Sequence, residues 1–469
     1  MNDGIDPAVE LTPEPVPGLH DQPGILGHPR GLPTLFFTEM WERFSYYGMR
    51  SLLIIYMTTL PAQGGLGFSV KEAASIYGTY IMAVYLTGLP GGLIADHILG
   101  TRVAVLVGGI IIALGHFSMV VSTTPFFYGG MIMIAAGTGL LKPNISALVG
   151  SLYREGDSRR DSGFSIFYMG INIGSFIAPL LCGFLAQDKW FTGMLAARGF
   201  NPALPWHLGF GAAGVGMTLG LVIYLLNQKS LRDAAIRNQG PTNTAVEKAP
   251  KVPLTPADWR RIGAIFVFFL FTILFWGAYE QKGASLNLFA KSLVRTEIFG
   301  WAYPSIWLQS LTPLFVIILA PIFSIIWLKL GDRQPTSPIK FTLGLLSIGM
   351  AFVLLVPASA LTATGRISPL WLVGVYFLEV VGEMCLSPVG LSTVTKLAPL
   401  KLVGIMMGVW FLAASLGGKL AGRISEFFDA ANSWTLIKMY GGIAIGLLIS
   451  AGVLALIAPK VRRLMGTVR

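Results

Sequence analysis

The chain has 469 residues, of which 54% are hydrophobic and 12% charged, and its formal net charge is +11. A soluble domain carries about twice that share of charge, so a water-soluble globule is excluded and a chain integral to a membrane is implied. The excess of Lys and Arg does not describe a nucleic-acid surface, because these residues are sorted among the loops between long apolar runs.

The first thirty residues are polar, acidic and rich in Pro and Gly. They lack the basic start of a signal peptide and read as a disordered tail, with the first apolar run acting as its own insertion signal. About 20 apolar residues cross a bilayer as a helix. Candidate spans lie near 32–60, 75–98, 102–122, 126–150, 163–186, 206–227, 260–288, 307–330, 339–357, 369–397, 401–424 and 437–459. Basic residues collect after span 4 (Arg154, Arg159, Arg160) and after span 12 (Lys460, Arg462, Arg463, Arg469). The connection between spans 6 and 7 holds Lys229, Arg232, Arg237, Lys248, Lys251, Arg260 and Arg261, whereas the loops after spans 1, 3, 5, 9 and 11 hold few. By the positive-inside rule both termini are cytoplasmic, and an even number of spans agrees.

The expected fold is therefore all-α and integral to the membrane, with twelve transmembrane helices in two pseudo-symmetric six-helix bundles. Residues 1–30 and 461–469 are expected as cytoplasmic tails, 31–227 and 262–460 as the bundles, and 228–261 as a cytoplasmic linker. Weak repeats relate the halves: Trp41-x6-Gly48 in span 1 matches Trp276-x6-Gly283 in span 7, and Lys142-Pro143 in span 4 matches Ser387-Pro388 in span 10. Interrupted helices in corresponding positions point to a transporter site at the midplane.

Span 1 carries the most informative stripe. At 100° per residue, Glu39, Glu42, Arg43, Tyr46, Tyr47 and Arg50 share an arc of about 140°. Each charge costs at least ~2.5 kcal/mol at the centre of a bilayer, so this face is expected to line a wet cavity while the other touches lipid or protein. Lys142 stands nearly alone in span 4 and needs a carboxylate or an anionic ligand. Glu280 lies in span 7, and Glu379, Glu383 and Ser387 share one face of span 10 at i, i+4 and i+8. Cross-bundle ion pairs among these groups could gate a cavity or simply fix helix packing. Lys282 falls on a different face from Glu280 and reads as a snorkelling or loop residue. Tyr77, Tyr80 and Tyr85 are compatible with ordinary packing, and Lys419 and Arg423 with headgroup contact.

Absences narrow the function classes. The sequence has no Walker A pattern, no HExxH, no GxSxG and no metal-spaced Cys/His set; its five His are scattered, and Cys182 and Cys385 fall inside spans. Neither an enzyme nor an ATP-driven pump is expected, and no cofactor. Buried carboxylates beside Arg suit coupling to protons, since burial and a neighbouring cation pull their affinity for protons in opposite directions.

The motif Glu39-x-x-Glu42-Arg43-Phe44-x-Tyr46-Tyr47-Gly48 resembles the ExxERFxYYG signature of the proton-dependent oligopeptide transporters, a family of the major facilitator superfamily. The likeness extends over the twelve spans: Gly91-Gly92-Leu93-Ile94-Ala95-Asp96, Gly139-Leu140-Leu141-Lys142-Pro143-Asn144, the stretch from Phe164 to Asn172, Phe275-Trp276 to Gln281, Gly382-Glu383 to Ser392, and Trp410-Phe411-Leu412. The resemblance implies a proton-coupled symporter that imports di- and tripeptides by alternating access. It implies that Arg43 and Lys142 hold the peptide carboxylate, and that Glu383 and Asn172 hold the ammonium. Tyr46, Tyr47 and Tyr85 serve the peptide backbone, Trp276 and Trp410 wall side-chain pockets, and Glu39, Glu42 and Glu280 carry protons. It further implies an outer gate pair Arg50–Glu280 and an inner pair Lys142–Glu383, in a monomer of the plasma membrane, a bacterial inner membrane, with peptides, protons and lipid as its partners. A zwitterionic dipeptide fits a cavity basic on one wall and acidic on the other.

Several positions depart from the family pattern. Thr312 stands where many bacterial relatives have Asn, Gly78 where animal members have His, and Asp96-His97 where Asp-Arg is commoner. The 228–261 stretch is too short for the extra helical pair of many bacterial members, and the connection between spans 9 and 10 lacks the large domain of animal members. Nitrate, a glycoside or a peptide-like drug on the same fold stay open as substrates, and a channel or a peptide receptor as other classes.

Overall fold

The computed structural model describes residues 27–153, 157–231, 254–298, 300–399 and 402–466. The tail at 1–26 and most of the 228–261 linker lie outside the described residues. Twelve long helices follow one another: α1 Gly31–Thr58, α2 Val70–Leu99, α3 Thr101–Ser118, α4 Thr124–Ser151, α5 Arg160–Gln187 and α6 Leu204–Leu226 form the first half. The second half holds α7 Pro256–Leu293, α8 Leu311–Leu330, α9 Ser337–Leu361, α10 Leu370–Leu397, α11 Val403–Ser425 and α12 Ser433–Met465.

Length and apolar composition alone select eleven of these as membrane-crossing, among the described residues. The twelfth, α1, is long enough to cross at 28 residues but carries Glu39, Glu42, Arg43 and Arg50. Its charges are buried inside the protein, so its low apolarity reflects what it lines and not where it sits. The back of α1 meets protein: Trp41 and Phe44 lie against Gly220 and Gly216 of α6.

Helix ends follow local chemistry and shift two of the sequence boundaries. Pro256 occupies the first turn of α7 behind a reciprocal Thr255/Asp258 capping box. That box satisfies two otherwise orphaned N–H groups, so α7 begins six residues before the 262 boundary. At the other end, α12 runs on to Met465 instead of stopping at 460, with Arg462 and Arg463 in its last turn. Cations there complement the negative end of the helix dipole. The second helix bends at Thr87, whose hydroxyl donates to Ala83 O and, across to α4, to Ala135 O at 2.8 Å.

Within the first half α1 packs on α5 and α6, and α3 on α4; within the second, α9 packs on α10 and α12, and α7 on α11. The halves meet where α2 packs on α11 and α5 on α8. At the α2–α11 seam a Cβ on Gly422 would stand 2.6 Å from both Ala74 O and Gly78 Cα, so only glycine permits this approach. Small residues let helix backbones close in this way where lipid offers no hydrophobic drive.

The seam yields a stability prediction. Gly422→Ala should lower the unfolding free energy of the detergent-solubilised protein by about 1–3 kcal/mol through overpacking. Gly442→Ala, on α12 with open space around its Cα, should leave the thermal midpoint unchanged. Equal midpoints for both variants would show that the seam tolerates the added methyl.

Candidate transport site between the bundles

The α1 stripe folds into a compact ionic cluster. Arg43 Nε lies 3.2 Å from Glu39 Oε1, and its Nη2 donates to Glu42 Oε1 at 2.7 Å; Nε also donates to Glu42 Oε2. One guanidinium thus serves two carboxylates: Glu39 at i−4, one turn back on the same side, and the adjacent Glu42, toward which the long arginine side chain turns. All three residues are buried. Glu39 Oε2 has no hydrogen-bond partner among the described residues, so the cluster has spare acceptor capacity. Arg43 also stands 5.1 Å from the centre of the Tyr46 ring, and Tyr46 meets Tyr47 edge-on at 5.1 Å.

Lys142 comes from α4, which runs unbroken from Thr124 to Ser151 with Pro143 inside it, so the interruption expected at Lys142-Pro143 is not seen. Its ammonium stands 4.7 Å above the Tyr85 ring, and its charge acts on Glu39. Glu39, Glu42, Arg43 and Lys142 sum to zero, which lowers the cost of burying them together. The wall presented by the first half is therefore cationic at two points and phenolic at three.

Two turns along α1 from Arg43, Arg50 crosses to the second half. Its Nη2 donates to Glu280 of α7, its Nε donates to Tyr77 Oη of α2 at 2.8 Å, and both residues of the ion pair are buried. Glu280 sits where α7 tightens into a 3-10 turn, Glu280–Gly283. A Cβ on Gly283 would lie 1.9 Å from Tyr77 Oη and 3.0 Å from Arg50 Nη2, so this glycine makes room for the pair. Further ties between the halves lie on the same side: Asn287 Nδ2 donates to Ser51 O at 2.8 Å, Lys291 Nζ to Thr59 Oγ1 at 2.7 Å, Trp307 Nε1 to Leu180 O at 3.0 Å and Ser310 Oγ to Phe176 O at 2.8 Å.

The second half supplies the acidic wall. Glu383 of α10 accepts a hydrogen bond from Tyr279 Oη. Trp276, half-buried, meets Tyr279 edge-on at 5.2 Å. Trp410 is buried 6.2 Å from the Phe341 ring, with Gly390 against it. Asn172 spends its amide on its own helix, Nδ2 donating to Tyr168 O at 2.9 Å. Thr312 is buried and its hydroxyl has no partner among the described residues.

The structure thus unites Arg50 with Glu280 and Arg43 with both α1 glutamates. It does not unite Lys142 with Glu383: the lysine stacks on Tyr85 and the glutamate takes Tyr279 instead. Asn172 likewise bonds within its helix and makes no bond to Glu383. Three sequence readings need correction. Tyr77 is an acceptor for Arg50 and not only packing. Lys419 donates to Thr79 of α2 at 2.6 Å instead of reaching away to headgroups. Lys282 is neither snorkelling nor in a loop; its ammonium lies 3.4 Å above the Tyr279 ring, half-buried. The reason is local: in a 3-10 turn residues i and i+3 eclipse, so the break in α7 brings Lys282 over Tyr279. The signal that could have revealed Tyr279 was its place beside Glu280 in an interrupted helix.

The closed side makes a prediction. Glu280→Gln keeps a hydrogen-bond acceptor but removes the charge opposite Arg50. With Cys182 and Cys385 replaced and Ser51→Cys introduced, a membrane-impermeant maleimide should label the Glu280→Gln protein about tenfold faster, the change given by ~1.4 kcal/mol lost from the closed arrangement. Equal labelling rates would mean that the ion pair does not hold this side shut.

The model of the POT family matches residues 102–250 and 241–443. The peptide transporter YePEPT of Yersinia enterocolitica is 38% identical, over 94% of this chain and 96% of the relative. The di-/tripeptide transporter of Lactococcus lactis subsp. cremoris is 36% identical, over 94% and 98%. Among solved structures, the crystal structure of a glutamate-to-glutamine mutant of peptide transporter POT in complex with alafosfalin superposes with a TM-score of 0.84 at 38% identity, covering 95% of this chain and 98% of that one. With a family model over most of its length and relatives this close over nearly all of it, the chain belongs to the POT family of multi-pass membrane transporters.

Proposed function

We propose that this protein imports di- and tripeptides together with protons, by alternating access. The observation that carries the reading is the division of buried charge: Arg43 and Lys142 on the first half, Glu383 on the second, and a salt bridge between Arg50 and Glu280 across the two. A short zwitterion has its carboxylate and ammonium a few Å apart and can meet Arg43 and Lys142 with one end and Glu383 with the other. The names of the Yersinia and Lactococcus relatives support peptides as the cargo.

In this reading Arg43 and Lys142 take the peptide carboxylate, while Glu383, with Asn172 once its amide turns, takes the ammonium. Tyr46, Tyr47 and Tyr85 offer hydroxyls to the peptide backbone, Trp276 and Trp410 bound the side-chain pockets, and Thr312 contributes a free hydroxyl. Glu39, Glu42 and Glu280 exchange the coupling protons; none of these steps calls for a cofactor. Protonation of Glu280 releases Arg50 and opens one side, and loss of that proton re-forms the pair. The arrangement described above is the state open toward the cytoplasm: the Arg50–Glu280 side is shut and Lys142 and Glu383 are apart. A cavity of about 730 Å³ between Tyr168 of α5 and α8, α9 and α10 supports an exit on the side of the chain termini. The molecule works as a monomer in the plasma membrane, a bacterial inner membrane, with both termini cytoplasmic.

Uptake of dialanine into proteoliposomes tests the reading. An inward proton gradient should drive accumulation, and raising the external pH to the internal value should abolish it, because the proton then supplies no force. Uptake indifferent to the gradient would refute coupling. Glu280→Gln should lose gradient-driven accumulation while retaining counterflow of labelled peptide; normal accumulation would remove Glu280 from the proton path. Arg43→Ala should weaken dipeptide binding about 10- to 100-fold, the loss of one charge-assisted hydrogen bond of ~1.5–3 kcal/mol, and unchanged binding would place the carboxylate elsewhere.

A further inference from the structure

Lys282 and Glu379 are two titratable residues that the transport cycle above leaves unused. Glu379 is completely buried in α10, and neither of its carboxylate oxygens has a hydrogen-bond partner among the described residues. Tyr376, one turn away on the same face, is also fully buried with an unpartnered hydroxyl. A buried carboxylate without donors is costly when ionised, so Glu379 needs either a proton or a cation. The cation that acts on it is Lys282 of α7; the neighbouring carboxylates are Glu383 and Glu280.

Lys282 faces two glutamates and pairs with neither at ion-pair distance. It rests over the Tyr279 ring, whose hydroxyl donates to Glu383. The groups that act on its ammonium are Glu383, Glu280 and Glu379 as attractors and Arg50 of α1 as a repeller. Glu379 and Glu383 are four residues apart on α10, one helical turn or about 6 Å along the axis. That distance is within the swing of a four-carbon side chain with three donors. The ammonium therefore lies over the ring whose hydroxyl donates to Glu383, with Glu379 one turn away from that glutamate on α10.

We propose that Lys282 is an internal competitor for the peptide ammonium at Glu383, and that Glu379 sets which glutamate it occupies. When Glu379 is ionised, Lys282 turns to it and leaves Glu383 free for the peptide. When Glu379 takes a proton on its carboxylate, Lys282 loses that partner, moves to Glu383 and displaces the peptide ammonium. Proton arrival at Glu379 thus promotes peptide release. A protein whose binding site is only partly available binds with an affinity reduced by that fraction, so the lysine also loosens binding. Lys282 acts through Glu383 and is a positioning residue, as is Glu379. The inference rests on the proposed reading in one respect, that the peptide ammonium sits at Glu383.

Dipeptide binding to the purified transporter, measured calorimetrically with dialanine, tests it. Lys282→Gln should tighten binding by about tenfold, because the competitor is gone. Glu379→Gln should weaken it by a similar factor, because Lys282 then has only Glu383. The double variant should bind as Lys282→Gln alone does, since without the lysine Glu379 has nothing to direct. N-acetyl-dialanine, which has no ammonium, should not gain from Lys282→Gln. Single variants that shift affinity in the same direction, or a double variant whose effects simply add, would overturn the proposal, as a purely structural ion pair weakens binding from either side. If the wild type binds no dialanine, the reading of the site itself is at fault; if it binds and Lys282→Gln binds no tighter, this inference alone fails. Glu379→Asp provides a second route should the glutamine variant not fold: it keeps the charge and should bind close to wild type.

Discussion

Everything in this molecule answers to one constraint: a charge inside a membrane protein must have an opposite charge or a donor within reach, or it cannot stay ionised. The Arg50–Glu280 pair is where the constraint becomes architecture. It joins α1 to α7 across the two halves, recruits Tyr77 from α2 as a further partner for the guanidinium, and forces the residue at 283 to be glycine. Breaking such a pair by removing one partner costs about 3–5 kcal/mol, because the survivor is left buried and unpaired. In the proposed cycle a proton on Glu280 is what lets the halves separate on this side, so that one carboxylate would govern the position of six helices.

The second cluster obeys the same rule differently. Arg43 is shared by Glu39 and Glu42 on its own helix, with Lys142 bringing the fourth charge from α4. Three of these groups ride on one rigid element, so their mutual geometry survives any movement of the halves. The Arg50–Glu280 pair straddles the moving boundary and does not. Local clusters can hold a substrate group steadily; straddling pairs can report on conformation. The same distinction separates Tyr279–Glu383, held within the second half, from Lys142 and Glu383, which lie in different halves and are apart.

Much of this was legible in the sequence because the membrane simplifies the code. Apolar runs of fixed length gave twelve helices to within a few residues at most ends, and charged residues inside them were conspicuous by cost alone. The stripe from Glu39 to Arg50 could be placed on one face by helical period, and Glu280 and Glu383 stood out in apolar surroundings. What could not be read was anything that depends on departure from the ideal helix. Lys282 reads as snorkelling or in a loop because its seat over Tyr279 depends on the i to i+3 eclipse of a 3-10 turn, which 100° per residue misses. Tyr77 looked like packing because its partner is 27 residues away on another helix. The extra turns of α7 and α12 depended on a capping box and on the placement of two arginines, which hydropathy ignores.

The interruption of α7 also moves the mechanical boundary of the molecule. After the 3-10 turn, Ala284 leaves helical geometry (φ −115°, ψ −104°) and the chain resumes as a nine-residue helix, Ser285–Leu293. That short piece grips α1 by side chains alone, Asn287 to Ser51 O and Lys291 to Thr59. On its other flank it is stitched by backbone: Ile367 N donates to Leu293 O at 2.9 Å, and Arg295 N to Ile367 O at 2.8 Å. Each of these hydrogen bonds is worth about 1 kcal/mol net, and the Asn287–Ser51 contact is fully buried whereas Arg295 of the backbone stitch is exposed. The segment is thus tied to its own half by main chain and to the first half by side chains, like a latch that is riveted on one side and buttoned on the other.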